Sequence, residues 1–307
     1  MKKLLFGLLI AFSGLVFYAC NKEKSGFNGT DSLKTNANEL VATDSKVDNI
    51  VETTSDESDL FSLGSSSAAS YSVGLKSGDI SMGGGLFKNM FDHFPNFKLR
   101  YLGGICPDLT ITTTNGGFPK TMTIDYGTGI EMANGHLLKG KIIIVLSADP
   151  FVSGGTRTVT FDGFSNDSIS ISGTVIKTRT KDAQPIFTEN SDLTVTLADG
   201  TTIHRVEKKV RTWIAGSDTQ FNPADDVVEI TGSVTVSDSK GNGYSKTITT
   251  PLVKTGVCKF ITKGVIEYKN NNGKFATVDF GNGDCDNMAT RTTQNGSAQI
   301  ILGRMGK

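Results

Sequence analysis

Three groups of residues in this sequence are of types and spacings that could do chemistry. The first is Gly281-Asn282-Gly283-Asp284-Cys285-Asp286. Clustered carboxylates with glycine-permitted backbone carbonyls suit a hard cation such as calcium. The competing reading is a tight turn whose aspartates cap backbone amides, and it is favoured, which leaves Asp284 and Asp286 as weak metal candidates. The second group is Asp225-Asp226, beside Pro223 and after Asp218, with Arg211, Trp213 and Phe221 nearby. Two carboxylates at the right separation can do glycosidase acid–base work, and the aromatics could stack on a sugar or peptide. Sequence gives no separation. Trp213, Asp225 and Asp226 therefore stand as weak ligand-binding candidates, with a core position the better fit for Trp213, the chain's one tryptophan. The third group is Cys20, at the end of an apolar run.

Other chemistries find little support. His93, His136 and His204 show no metal-ligand spacing. There is no Gly-x-Ser-x-Gly elbow. Gly135-His136-Leu137-Leu138-Lys139-Gly140-Lys141 mimics a phosphate loop, but Ile142 stands where a hydroxyl must hold magnesium, and no helical pattern follows. It reads as a turn into a strand. No catalytic residue, metal or cofactor is assigned, and the chain is expected not to be an enzyme.

Cys20 is the most informative single residue. Lys2 and Lys3 open the chain, Leu4–Ala19 carries no charge, and Ala19 is a small residue before the cysteine. A bilayer-spanning helix needs about 20 apolar residues, so this run fits a secretory segment better. The pattern resembles a bacterial lipoprotein signal (residues 1–19), cleaved before a lipidated Cys20. Each acyl methylene buried in lipid contributes roughly 0.8 kcal/mol, so an anchor of more than one chain holds firmly.

Charge supports an exported tether and body. The chain has 31 basic and 31 acidic residues, and removing residues 1–19 takes two lysines, leaving 29 against 31. Residues 21–60 hold 4 basic and 9 acidic residues, and the body from Phe61 has 25 against 22. Neither balance implies nucleic acid as a partner. Residues 20–86 are expected to be a lipid-anchored tether, acidic and then rich in Gly and Ser. Within it, Leu40, Val47, Ile50 and Val51 give one weak helical signal whose acidic face would be solvated. Phe87, Phe91, Phe94 and Phe97 could form a short helix ended near Pro95.

From Leu109 onward the sequence predicts strand after strand, about twelve in all. Val228, Ile230, Val234 and Val236 alternate with polar residues, as do Leu193, Val195 and Leu197. Asp199-Gly200, Asn272-Gly273 and Asn295-Gly296 favour hairpin loops. The expected fold is all-β, with antiparallel, hairpin-rich curved sheets forming a sandwich or an open, barrel-like body over residues 87–307. Cys106, Cys258 and Cys285 in an oxidising compartment imply one pair and one leftover thiol.

The body also carries an internal repeat, over about 106–180 and 226–307. Thr123-Ile124-Asp125-Tyr126-Gly127-Thr128-Gly129 matches Thr277-Val278-Asp279-Phe280-Gly281-Asn282-Gly283. Both follow a cysteine by about twenty residues, and both precede an apolar strand after a glycine, Gly140–Leu146 and Gly296–Leu302. Each Asp is expected to accept hydrogen bonds from the amides that follow, with the aromatic pointing to the opposite face.

These motifs, with Lys139-Gly140-Lys141-Ile142-Ile143, Thr160-Phe161-Asp162-Gly163-Phe164, Arg211–Asp218 and Asp284-Cys285-Asp286-Asn287, carry a resemblance. The chain from Cys106 onward resembles an uncharacterised family of Bacteroidetes-type surface or outer-membrane lipoproteins. The family's first repeat usually has a second cysteine after its Gly-x-Gly, where this chain has Gly129-Ile130-Glu131. The resemblance thus implies a Cys258–Cys285 bridge and an unpartnered Cys106. It implies no activity.

The expected protein is a non-enzymatic lipoprotein with a binding or structural role at the cell envelope. It would be held to the bacterial outer membrane by its N-terminal lipid, with surface exposure one option. Its protein or glycan partner is unknown. One alternative is a carrier of lipid or another hydrophobic ligand, and a further one is a surface glycan-active enzyme.

Overall fold

The computed structural model describes residues 37–66, 106–114, 117–132, 135–181, 184–219, 223–239, 243–258 and 260–302. The signal at 1–19, Cys20, His93, the Phe87–Phe97 segment and Phe221 lie outside them.

Among the described residues one α-helix, one short 3-10 turn (Pro223–Asp225) and one sheet make the fold. Helix α1 is Ala37–Ser66. The strands are β1 (Asp108–Thr113), β2 (Lys120–Asp125), β3 (Ile130–Glu131), β4 (Leu137–Leu146), β5 (Thr156–Asn166), β6 (Ile169–Lys181), β7 (Ile186–Thr196), β8 (Thr202–Ala215), β9 (Val227–Asp238), β10 (Gly243–Thr255), β11 (Ile261–Asn270), β12 (Gly273–Asn282), β13 (Met288–Thr293) and β14 (Gly296–Ile301). They form a single 14-stranded antiparallel meander in chain order, with the short β3 on β4. The all-β, hairpin-rich expectation holds. The sheet is open: β1 and β14 are its ends and do not pair.

Alternation places one face of each strand inside. Val228, Ile230, Val234 and Val236 of β9 are all buried, as the sequence predicts, and so are Leu193 and Val195 of β7. Glycine lets strands approach where the ladder breaks. A Cβ on Gly232 would stand 2.1 Å from the Lys208 carbonyl oxygen, at φ 139°, so only glycine fits there, beside the register shift between β9 and β10. The hairpin glycines sit one place later than the Asn-Gly pattern predicts. Asn270 pairs with Gly273 and Thr293 with Gly296, so Asn271-Asn272 and Gln294-Asn295 form the loops. Gly273 and Gly296 take positive φ as the first residues of the returning strands.

The acidic segment is where structure and sequence differ most. Thirty residues of the expected tether form α1, and its acidic face lies on the sheet rather than in solvent. Serine and threonine are poor helix formers, yet their hydroxyls bond back within α1: Ser45 to the Val41 carbonyl, Thr53 to Asn49, Thr54 to Ile50 and Ser62 to Ser58. A helix of such residues depends on tertiary packing. Val41, Val47, Val51 and Phe61 provide part of it, each under 7% exposed.

The direction of α1 follows from its contacts. Asp44 bonds to β10 and β11, and Asp59 to β5 and β6. Fifteen helical residues rise about 22 Å at 1.5 Å each. Five strand spacings, from β10 to β5, span about 24 Å. The helix therefore lies across the strands, from β10 and β11 at Asp44 through β8 at Asp48 and Glu52 to β5 and β6 at Asp59.

Candidate functional site

The seam between α1 and the sheet concentrates the chain's buried charge. Alternation on β8 turns Arg205, Glu207, Lys209 and Arg211 inward, while His204 and Lys208 are exposed on the outer face. Lys246 of β10 joins them, 5% exposed. These positions are built by the strands alone. Acids for them arrive from α1 at four-residue spacing, which keeps Asp44, Asp48 and Glu52 on one face.

Asp44 accepts bonds from Lys246 at 2.9 Å, from the Tyr268 hydroxyl at 2.9 Å and from the Tyr244 hydroxyl. Asp48 pairs with Arg205 at 2.7 Å and with Lys246. Glu52 accepts from Arg211 at 2.6 Å and from Lys209. Glu207 binds Arg205 at 2.6 Å. At the other end of the helix, Asp59 receives Arg157 and Lys177. Glu57 accepts from Tyr126 at 3.4 Å.

Titration follows this geometry. Burial alone would raise the Asp48 carboxyl, but Lys246 and Arg205 outweigh it and hold Asp48 down at about 2. Burial likewise opposes ionisation of Glu52, and Arg211 and Lys209 still keep it well below the ordinary carboxylate range. Burial and the neighbouring Asp44 charge push the Tyr244 and Tyr268 phenols well above theirs. Both tyrosines therefore stay neutral donors.

The charge count across the seam is lopsided. Among the described residues the sheet contributes six cations that pair with acids of α1, Arg157, Lys177, Arg205, Lys209, Arg211 and Lys246, against two inward carboxylates, Glu189 and Glu207. Isolated buried charges are untenable, so the sheet requires anions from elsewhere, and α1 supplies them. Chemically, the seam is a receptor for carboxylate-like groups.

The sequence candidates fall elsewhere, one set of them at the edge of this seam. Trp213 follows Arg211 by two residues on β8 and so shares its face. It is half-buried, its ring edge-on to Phe187 at 5.1 Å. Its indole donates to Asp226, whose carboxyl is raised by burial and by Asp225 despite that bond. Asp225 accepts from the Thr219 hydroxyl at 2.8 Å. Lys177 and Arg179 lie over the Phe187 ring at 5.2 and 5.5 Å. The structure thus brings Trp213 and Asp226 together as a small capped cluster at one edge of the seam.

Asp284 and Asp286 are exposed, and Asp286 accepts from the Met288 amide at 2.9 Å. This is the amide-capping turn. Among the described residues no three His, Cys, Asp or Glu side chains converge as metal ligands. His136 pairs with Asp167 and His204 with Asp192, both at 2.7 Å on the surface. Gly135 turns at φ 82° straight into β4, as expected for the phosphate-loop mimic.

Cys258 and Cys285 are bonded, with Cα atoms 5.6 Å apart. Cys106 is a free, buried thiol, pushed up to about 12 by burial and by Glu57. It is unreactive as a nucleophile.

The repeated turns match their expected design. The Gly127 amide donates to Asp125 at 2.8 Å and the Gly281 amide to Asp279 at 2.9 Å. Tyr126 is 1% exposed, whereas Phe280 is only half-buried. After the turns the pairing differs: β4 lies directly beside β2, but β13 separates β14 from β12. No protein-family model, no curated protein and no solved structure matches the chain.

The seam itself is absent from the sequence reading. One signal was available: acids at 44, 48 and 52 share a helical face, and basic residues alternate at 205, 209 and 211.

Proposed function

We propose that this protein is a lipid-anchored lipoprotein of the bacterial outer membrane, whose all-β body has a non-enzymatic binding or structural role. The observation that carries this reading is the docking of α1. The helix begins 17 residues after Cys20, so a chain running from the lipid to the body reaches at most about 60 Å. The acidic stretch that follows a lipoprotein-like signal is thereby part of the body, and it presents a broad, polar-faced sheet close to a membrane. The family resemblance carried by the two Asp-aromatic-Gly-x-Gly turns supports the same class.

The test is fractionation of cells expressing the Cys20→Ser chain. Release into the soluble fraction is expected. Retention on membranes after a high-salt wash would defeat the proposal. The alternative of a hydrophobic-ligand carrier is favoured by one specific observation, the long inner face of the sheet that a single helix covers. The glycan-enzyme reading gains little, because Asp225 and Asp226 are engaged by Thr219 and Trp213.

A further inference from the structure

We propose that the inner face beneath α1 is a groove for an anionic amphiphile, with an acyl tail and an anionic head, and that α1 is its internal stopper. The inference gives a site to the carrier alternative. It does not depend on the lipid at Cys20.

Two properties of the groove define the ligand. Along β2 and β4–β7 the face is apolar apart from the buried Lys120, Arg157, Lys177, Glu189 and Ser191: Met122, Ile124, Ile142, Ile144, Val159 and Leu193 are all 2% exposed or less. Along β8 and β10 cations predominate, with Arg205, Lys209, Arg211 and Lys246 against Glu207. Both occur on one continuous face, at one depth. An apolar tail would lie on the first part, and a carboxylate or phosphate would bind the second. A purely apolar ligand would strand the cations, and a purely ionic one would leave the apolar strands wet.

Helix α1 already imitates such a ligand. Asp44, Asp48 and Glu52 place carboxylates on the cationic strands, and Val51 lies over the apolar ones. Its fit is incomplete. A crevice of about 10 Å³ remains between Val51, Thr54, Ser58, Val159, Phe161 and Leu193, about the room one water needs. The buried Ser191 hydroxyl has no hydrogen-bond partner among the described residues. A small-molecule site needs several hundred Å³, so a ligand can enter only as α1 withdraws. Attachment through ion pairs makes that exchange feasible, because an incoming head group takes over one of the cations that the departing carboxylates held, and water entering the opened seam solvates the others.

The probe is oleate, below its micelle concentration, titrated into the full chain carrying Cys20→Ser. A companion chain adds Asp48→Asn and Glu52→Gln to loosen α1. The expected result is oleate binding at least tenfold tighter in the companion chain, at least tenfold weaker binding of oleyl alcohol, and a tenfold loss when Lys246→Gln is added. In the chain with α1 intact, saturating oleate is expected to accelerate hydrogen exchange of the α1 amides at least tenfold. Equal affinity with and without the α1 substitutions overturns the proposal. So does equal affinity for oleyl alcohol, or α1 exchange unchanged by oleate. If the companion chain fails to fold, the exchange measurement on the chain with α1 intact decides alone. Cys20 lipidation is read separately by fractionation, so the two proposals fail independently.

Discussion

Under one helix the sheet is built in two ways. On β2 and β4–β7 most inward positions are apolar, with Ile142 and Ile144 at 0% exposure, and Lys120, Arg157, Lys177 and Glu189 are the buried charged exceptions. On β8 the equally buried inward positions are mostly charged, with Arg205 and Glu207 at 1%, and Lys246 of β10 joins them. The apolar positions are stabilised without reference to their partner: any close-packed apolar cover would do. The charged half is not. Desolvating an ion costs several kcal/mol unless its partner's geometry is good, so that half specifies which helix, in which register. The apolar strands supply adhesion, and the charged strands supply identity.

The largest way to break this contrast is to orphan a charge. Arg205→Ala leaves Asp48 and Glu207 buried without their guanidinium, and should cost about 3–5 kcal/mol in denaturant unfolding. Replacing Glu52→Leu and Lys209→Met together should cost less than the sum of the two single changes, because Arg211 keeps Glu189 and Glu207 keeps Arg205. If the double change costs the full sum of the singles, the charges are not acting as a matched set. On the apolar side, Ile144→Ala should cost about 3 kcal/mol through the cavity it leaves. That loss should be unchanged by salt.

Acid separates the halves next. Asp48 and Glu52 have folded-state values depressed below their unfolded ones. Their contribution is therefore present above the unfolded values and is lost as pH falls through the folded ones. Asp48, moving from 3.8 to about 2, contributes about 2 kcal/mol on the scale of 1.36 kcal/mol per pH unit. Unfolding free energy should decline between about pH 4.5 and pH 2, and the Asp48→Asn chain should lose less of it over that range. An identical pH profile for both chains would remove Asp48 from the account.

The smallest effects belong to the repeated turns. Asp125→Ala and Asp279→Ala each remove one bond to a glycine amide and should lower stability by about 1 kcal/mol. Asp125 also meets Lys141 at 3.0 Å, but that pair is exposed and adds little. Melting curves check both. A loss at Asp279 that appeared only with calcium present would point instead to a cation site.

What the sequence disclosed follows the same division. Val228, Ile230, Val234 and Val236 alternate with polar residues, and solvent and core sort them as expected. The turns at Asp125 and Asp279 were legible because an Asp two residues before a glycine acts through local backbone geometry alone. β8 was not legible. In its middle, Val206 and Val210 lie half-buried on the outer face while Arg205, Glu207, Lys209 and Arg211 occupy the inside. Apolar pattern predicts the reverse, because it ignores a partner some 150 residues away. For the same reason the acids of α1 looked solvated: nothing within residues 21–60 signals the cations that receive them. The Trp213–Asp226 contact spans the β8–β9 connection, and spacing alone could not provide it.

Hydrogen exchange of the Ala37–Ser66 amides, in the free protein at low salt, tests the central claim most directly. If α1 is a docked element of the body, its central amides around Asp48 and Glu52 should be protected to within about tenfold of those of β8, and should lose protection when Arg205 is replaced. Exchange of the α1 amides at the rate of an unstructured chain, with β8 still protected, would contradict the account and return the segment to the role of a tether.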